Sequence, residues 1–277
     1  MINKKKFSIN NLVTYIILII ACATTILPLL WMFLTSFKTF EESIQIPMTI
    51  FPESFNPESY KIVLNKFPFD KLFINTFLVM IVVVIGQIVV CSLAAYAFAR
   101  LSFPGKELIF LLCLSIMMIP GQTFIIPRYE LINKWGLADT ITALWLPNLF
   151  DVFGVFMLRQ FFSTLPKELD EAAKIDGSGF FRIYYQILLP LIKPAIVSLA
   201  ILTALTTWKD LLWPLIINTD INKQTLSAGL ALLIGEHTTY YPQVMAGAFI
   251  SVVPMIVIFF FLQRFFIEGI ALSGTKA

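Results

Sequence analysis

Four stretches of this chain contain no charged residue: Phe7–Phe37, Leu72–Ala99, Leu108–Pro127 and Thr238–Gln263. A helix needs about 20 consecutive apolar residues to cross the hydrocarbon core of a bilayer, so each run is long enough to span one. Two further stretches are interrupted, Thr140–Leu158 by Asp151 and Pro194–Ile217 by Lys209-Asp210. Charged residues make up 13% of the chain and apolar ones 58%, against roughly 25% charged in an ordinary soluble domain. No single water-soluble core can hide that much apolar surface. The pattern predicts an all-α, polytopic membrane protein, one transmembrane domain over residues 1–277. Its spans fall at about 12–36, 72–98, 108–127, 140–158, 194–217 and 243–263.

The first span follows Lys4-Lys5-Lys6, as a signal peptide would. It exceeds the usual 7–15-residue signal core and no small-x-small site closes it, so it reads as a retained span. Basic residues near span ends set orientation. One side carries Lys4, Lys5, Lys6, Arg100, Lys106, Arg159, Lys167, Lys174, Arg182, Lys193, Arg264 and Lys276 in short segments; the other has fewer. Both termini are therefore expected in the cytoplasm. Pro28, Pro120, Pro147, Pro214 and Pro254 lie within spans, where proline removes a helix hydrogen bond and kinks the axis. Static kinks and hinges for an alternating pathway both remain open. The loop at 38–71 is long, polar and proline-containing, enough for a small external cap.

Residues 163–190 are charged and read as a soluble helical hairpin set in an oily chain. Thr164 can cap a helix and Pro166 suits its first turn. Glu168, Asp170 and Glu171 crowd the positive end of the helix dipole. Gly177 stops the helix and lets the chain reverse. Ser178 can cap a second helix, in which Phe180, Ile183, Tyr184, Ile187 and Leu188 form an amphipathic stripe. Pro190 marks the turn into the next span. On the residues alone, a knob that docks in a cytoplasmic partner and a helix resting on lipid headgroups both fit.

Chemistry is conspicuously sparse. Cys22, Cys91 and Cys113 sit in apolar runs without CxxC spacing, and His237 is the only histidine. No nucleophile–base pair or metal set is recognisable, and no GxxxxGK[ST] phosphate loop occurs. At Gly105-Lys106 the first glycine is replaced by Arg100, and Glu107 follows the lysine. The sequence predicts no enzyme, no metal and no nucleic-acid partner.

The segment Glu171-Ala172-Ala173-x3-Gly177-x9-Ile187-x-Leu189-Pro190 resembles the cytoplasmic signature of the membrane subunits of bacterial ABC importers, with every fixed position matched. Tyr96-Ala97-Phe98-Ala99-Arg100, Ile119-Pro120-Gly121, Arg159-Gln160-Phe161-Phe162 and Ile175-Asp176-Gly177 are similar to the carbohydrate-uptake branch, and within it to the maltose-type second permease. The resemblance covers nearly the whole chain. It implies a multi-pass protein of the bacterial cell membrane, paired as a heterodimer with a second permease and surrounded by membrane lipid. Two cytoplasmic ATPase subunits would bind ATP and Mg, this chain binding no cofactor, and an extracellular or periplasmic sugar-binding protein would deliver the solute. Hairpin 163–190 would be the coupling helix. Glu171 would engage the ATPase groove, Ala172 and Ala173 would permit close docking, and Asp176 and Gly177 would complete the motif. The outer loop 218–242 would reach the binding protein through Tyr240 and Tyr241, which also suit an interfacial aromatic belt. The tail 264–277 resembles an extension that touches the ATPase pair, Gly269 and Gly274 suiting a flexible strand.

Asp151, an ionisable group within a span, is a candidate for the solute pathway. Lys209 and Asp210 point in different directions on a helix and are expected to hold the bundle rather than meet sugar. An importer of another solute, such as a glycerol phosphate ester, fits nearly as well. An ion-coupled secondary transporter would need midplane ionic pairs and inverted repeats, and neither stands out.

Overall fold

The computed structural model describes residues 9–66, 68–234 and 238–274, and among them every regular element is helical. In order these are α1 (Ile9–Ser36), α2 (Phe40–Ile44), α3 (Glu58–Lys66), α4 (Phe69–Arg100), α5 (Lys106–Ile116), α6 (Ile125–Lys134), α7 (Ile141–Trp145), α8 (Val152–Thr164), α9 (Glu168–Ile175), α10 (Phe180–Arg182), α11 (Leu189–Leu191), α12 (Lys193–Trp208), α13 (Leu212–Ile217), α14 (Leu226–Ala231) and α15 (Tyr241–Gly274). A backbone in lipid must satisfy its own hydrogen bonds, and apolar runs this long do so as helices.

Leu12–Ser36, Phe69–Arg100 and Tyr241–Phe261 are each long and apolar enough to cross a membrane alone. The other expected spans are not straight. Residues 106–116 and 121–134 meet at 96°, 141–148 and 152–164 at 41°, and 180–191 and 193–208 at 80°. Counting each bent pair as one crossing gives up to six. The expected span at 108–127 breaks because Pro120 has no N–H to donate. Before it, the N–H groups of Met117, Met118 and Ile119 close short three-residue turns on Leu114, Ser115 and Ile116. The span at 140–158 breaks after Pro147, which sits in a 3₁₀ turn. The stretch 194–217 is two helices, α12 stopping at Trp208 and α13 starting at Leu212 with Pro214 in its first turn.

The chain forms two compact units, Met1–Phe67 with Leu230–Val253, and Pro68–Gly229 with Pro254–Ala277. In the first, segment 38–66 is a packed cap. Thr39 caps α2 by accepting from the Glu42 N–H, and Glu42 in turn accepts from the Glu53 N–H at 2.8 Å. The Lys38 ammonium donates to the Thr49 carbonyl and lies over the Trp31 ring. Phe37 packs against Phe33, Phe55 and Tyr60.

In the second unit α4 is the axis against which α8 and α12 pack. One apolar cluster gathers around Val79, Val83, Ile132, Leu144 and Trp213. A second, around Cys91, Tyr96, Leu158, Phe162, Ile183, Leu188 and Leu199, occupies the other half of α4. Close approach there depends on Gly154, where an added Cβ would sit 3.1 Å from Leu199 and 3.2 Å from the Cys91 sulfur. Where a flexible tail was expected, the backbone of α15 continues helically to Gly274. Residues after Pro254 contain no further proline to stop it, and 275–277 lie outside the described residues.

Candidate functional site

The hairpin at 163–190 is built differently in detail from the sequence expectation. Thr164 ends α8 rather than capping α9, its hydroxyl donating to the Phe161 carbonyl at 2.8 Å. Leu165 is extended, as a residue before proline tends to be, so Pro166 falls in the connection and α9 starts at Glu168. Gly177 ends α9 at φ +79°, a left-handed conformation that glycine adopts without strain. The Gly177 N–H bonds Lys174 O at 3.0 Å and the Ser178 N–H bonds Ala173 O at 2.9 Å, the paired closure of a Schellman motif. Because the Ser178 backbone closes the first helix, the next begins from Gly179 with no side-chain cap.

That second helix is one α-turn followed by a π-helical run over Ile183–Leu188. Pro190 supplies no N–H to close an ordinary turn there, and the chain bends at Ile192 rather than at Pro190. Of the expected stripe, Ile183, Tyr184 and Leu188 are buried, whereas Phe180 is exposed. Burying Ile183 and Leu188 contributes on the order of 2 kcal/mol each. Polar pins add direction. The Tyr184 and Ser92 hydroxyls are 2.7 Å apart, and the Tyr96 hydroxyl donates to the Phe180 carbonyl at 3.1 Å.

A buried ion pair fastens the first helix. Arg100, at the end of α4, meets Asp170 of α9 at 3.2 Å, their side chains 5% and 13% exposed. Its second nitrogen donates to the Leu165 carbonyl at 2.7 Å. One guanidinium thus holds both the connection and the helix. Beside it, Arg159 pairs with Glu107 at 3.0 Å and stacks over Phe110.

The expected docking residues divide. Glu171, Ala172, Asp176 and Gly177 are exposed. Ala173 is buried and packs into the chain's own apolar cluster, so its small size serves internal packing. Sequence reasoning overlooked two neighbours. Ile175 is 87% exposed and Phe181 is 75% exposed, and with the exposed Phe180 and Tyr185 they put large apolar groups on the outside of the hairpin. Their signal was present: both fall off the periodicity of the buried stripe.

Asp151 is the N-cap of α8, accepting from the Gly154 N–H at 2.9 Å. That helix restart accounts for a carboxylate inside the apolar stretch. Tyr240 and Tyr241 are both about half exposed. Tyr240 packs against Phe40, and Tyr241 lines a cavity with Trp31, Thr35 and Met245. Glu236 and His237 lie outside the described residues. Another polar latch ties residues 139 and 218–224. Asp139 accepts from the Thr219 and Asp220 N–H groups at 3.0 Å each and from Lys223 at 3.1 Å. The Asp220 N–H and the Lys223 ammonium hold its carboxyl below the usual carboxylate range.

Bent apolar helices of membrane-spanning length carry a charged hairpin held by the Arg100–Asp170 pair. Residues 87–271 match the family described as the binding-protein-dependent transport system inner membrane component. The chain is 34% identical over 254 residues to the arabinooligosaccharides transport system permease protein AraQ of Halalkalibacterium halodurans, covering 91% of each. It is 33% identical over 275 residues to the sn-glycerol-3-phosphate transport system permease protein UgpE of Rhizobium meliloti, covering 96% of this chain and 98% of that one. A chain from the crystal structure of a bacterial ABC transporter involved in the import of the acidic polysaccharide alginate shares the fold, with TM-score 0.81 and 20% identity over 95% of this chain and 100% of that one. The chain belongs to the family of binding-protein-dependent transport system inner membrane components. It is a multi-pass inner-membrane permease of an ABC importer and works with another permease, ATPase subunits that hydrolyse ATP, and a binding protein.

Proposed function

We propose that this permease belongs to the carbohydrate-uptake branch and forms, with a second and different permease, the pathway for a sugar or oligosaccharide. Two cytoplasmic ATPase subunits that bind ATP and Mg drive it, one of them seating hairpin 163–190. The observation that carries the coupling part is the exposure of Glu171, Ala172, Ile175 and Phe181 on a hairpin anchored by Arg100–Asp170. A rigid anchor with an apolar and acidic outer side transmits force, where a loosely tethered one would not. Both termini lie in the cytoplasm, and Tyr240 and Tyr241 face the external binding protein. The relative named for arabinooligosaccharides supports the solute class. The similarity to an sn-glycerol-3-phosphate permease, at nearly equal identity and higher coverage, favours a second reading, import of that ester.

Reconstituting the whole transporter with its binding protein separates the two. ATP-dependent uptake of arabinotriose with none of sn-glycerol 3-phosphate is the expected result, and the reverse would establish the second reading. Orientation has its own check. An epitope placed after Ala277 is expected to resist protease added to intact cells and to be cut after permeabilisation. Cleavage in intact cells would overturn the topology.

A further inference from the structure

The cap expected at 38–71 from its polar sequence is inside-out over part of its surface. Between α2 and α3, Ile46 is 93% exposed, Met48 71%, Ile50 62% and Phe51 71%. Ile44, at the end of α2, is half-exposed. The polar residues between them, Gln45 and Thr49, are more covered than their apolar neighbours. The charged groups nearby lie within, Lys38 at 3% and Glu42 at 7% exposure.

These buried polar groups satisfy one another. The Lys38 ammonium donates to the Thr49 carbonyl and, at 3.3 Å, to the Thr49 hydroxyl. That hydroxyl also accepts from the Gln45 amide at 3.4 Å. Glu42 accepts from the Glu53 N–H. A segment bathed in water keeps its charges outside and covers its large apolar groups. The opposite arrangement marks a surface that meets a membrane or another protein.

Position decides between the two. Segment 44–51 follows α1 after one short helix, and α1 is apolar enough to cross a membrane as far as Ser36. The same Lys38 ammonium that holds Thr49 lies over the Trp31 ring at 5.0 Å. It therefore ties the segment beside the last turns of α1, at the level where that helix leaves the hydrocarbon. Tryptophan gathers at this level in membrane proteins. Further back on α1, Ile26, Leu27 and Leu30 are exposed, so an apolar surface precedes the segment along the chain.

A protein partner fits less well. Protein interfaces carry about one hydrogen bond per 100–200 Å², and here Thr49, Gln45, Lys38 and Glu42 are already engaged with this chain. A binding protein that comes and goes would also leave four large apolar side chains in water for part of each cycle. Lipid covers them throughout.

We propose that segment 44–51 is an interfacial anchor. Ile46, Met48, Ile50 and Phe51 enter the headgroup–acyl boundary of the leaflet where α1 ends and fix the height of the cap on the bilayer. That leaflet is the outer one in the orientation proposed above.

The test uses the complete transporter in nanodiscs of phosphatidylethanolamine and phosphatidylglycerol, where both membrane faces are reachable, so that its result does not depend on that orientation. Ile46→Cys, Phe51→Cys and Lys61→Cys are each reacted with a charged maleimide, with wild type giving the background from Cys22, Cys91 and Cys113. Lys61 is exposed on α3 and supplies the water-facing reference. All three side chains are exposed, and ATP hydrolysis at the wild-type rate checks assembly. Apolar surroundings disfavour the reactive thiolate, so Ile46→Cys and Phe51→Cys are expected to react about tenfold more slowly than Lys61→Cys or slower still. The difference should persist with and without binding protein. A benzophenone side chain substituted at Ile50 should, on illumination, add the mass of a phospholipid to this chain. Labelling of Ile46→Cys and Phe51→Cys as fast as Lys61→Cys would overturn the anchor. So would slow labelling only when binding protein is present, or a photoproduct joining Ile50 to the second permease.

Discussion

Replacing Asp170 by Ala is expected to loosen the hairpin by about 3 kcal/mol, because removing one member of a buried ion pair leaves the other charged and unpaired. The partner left behind is Arg100, whose side chain is only 5% exposed. Its remaining bond, to the Leu165 carbonyl, holds the connection but no longer α9. Limited proteolysis of the purified transporter should then cut between residues 165 and 180 at least tenfold faster than in wild type, and ATPase subunits should co-purify poorly. The double variant Arg100→Met, Asp170→Leu supplies the control. It removes both charges and replaces them with apolar volume, so it should recover most of the lost stability. Arg100→Lys should not, since a single ammonium cannot reach Asp170 and the Leu165 carbonyl in the same two-pronged way. If the single variant matched wild type in both assays, the ion pair would not be what seats the hairpin.

Asp170 was visible in the sequence only as one of several acids at a helix start, and Arg100 only as a basic residue at a span end. Nothing in their spacing joins them, because the contact depends on α9 returning against the end of α4. The same limit explains Ala173. Helical periodicity placed it on the hairpin's narrow apolar side, but whether that side met a partner or the chain itself required the position of Ile183 and Tyr184. By contrast, Gly177 was legible outright, since a glycine after a short acidic helix has few other uses. The apolar runs fixed the membrane class but concealed the bends. Pro120 and Pro147 announced breaks without giving their angles, and α12 ends at Trp208 ahead of Pro214. Asp151 was read as a pathway group because a carboxylate in a span is unusual. In the structure it stands at such a bend as the N-cap of α8. The bends also open a cavity lined by Gln87, Asn148, Lys209 and Asp210, residues far apart in the chain.

Gly177 carries the second large effect, and its surroundings make the cause separable. An added Cβ would meet no atom within 4 Å of this chain, while φ stands at +79°. Any loss on substitution therefore arises either from backbone strain or from collision with a docked partner. Val is β-branched and strongly disfavoured at positive φ, a cost on the order of 1–2 kcal/mol. It should unwind the Ser178–Ala173 closure and tilt Glu171 and Ile175 away. Asn tolerates the left-handed region yet projects a side chain outward. Coupled transport is expected to fall at least tenfold in Gly177→Val, with normal membrane insertion. If Gly177→Asn retains transport, the turn's conformation is what matters. If Gly177→Asn also uncouples, with intact hairpin protection from protease, the partner's surface must lie against Gly177 itself. Glu171→Lys tests the same surface without touching the turn, because Glu171 is exposed. Reversing its charge should weaken ATPase co-purification while leaving Tm unchanged. Full transport and unaltered co-purification in both Gly177→Val and Glu171→Lys would show that this hairpin is not the element through which ATP hydrolysis drives the permease.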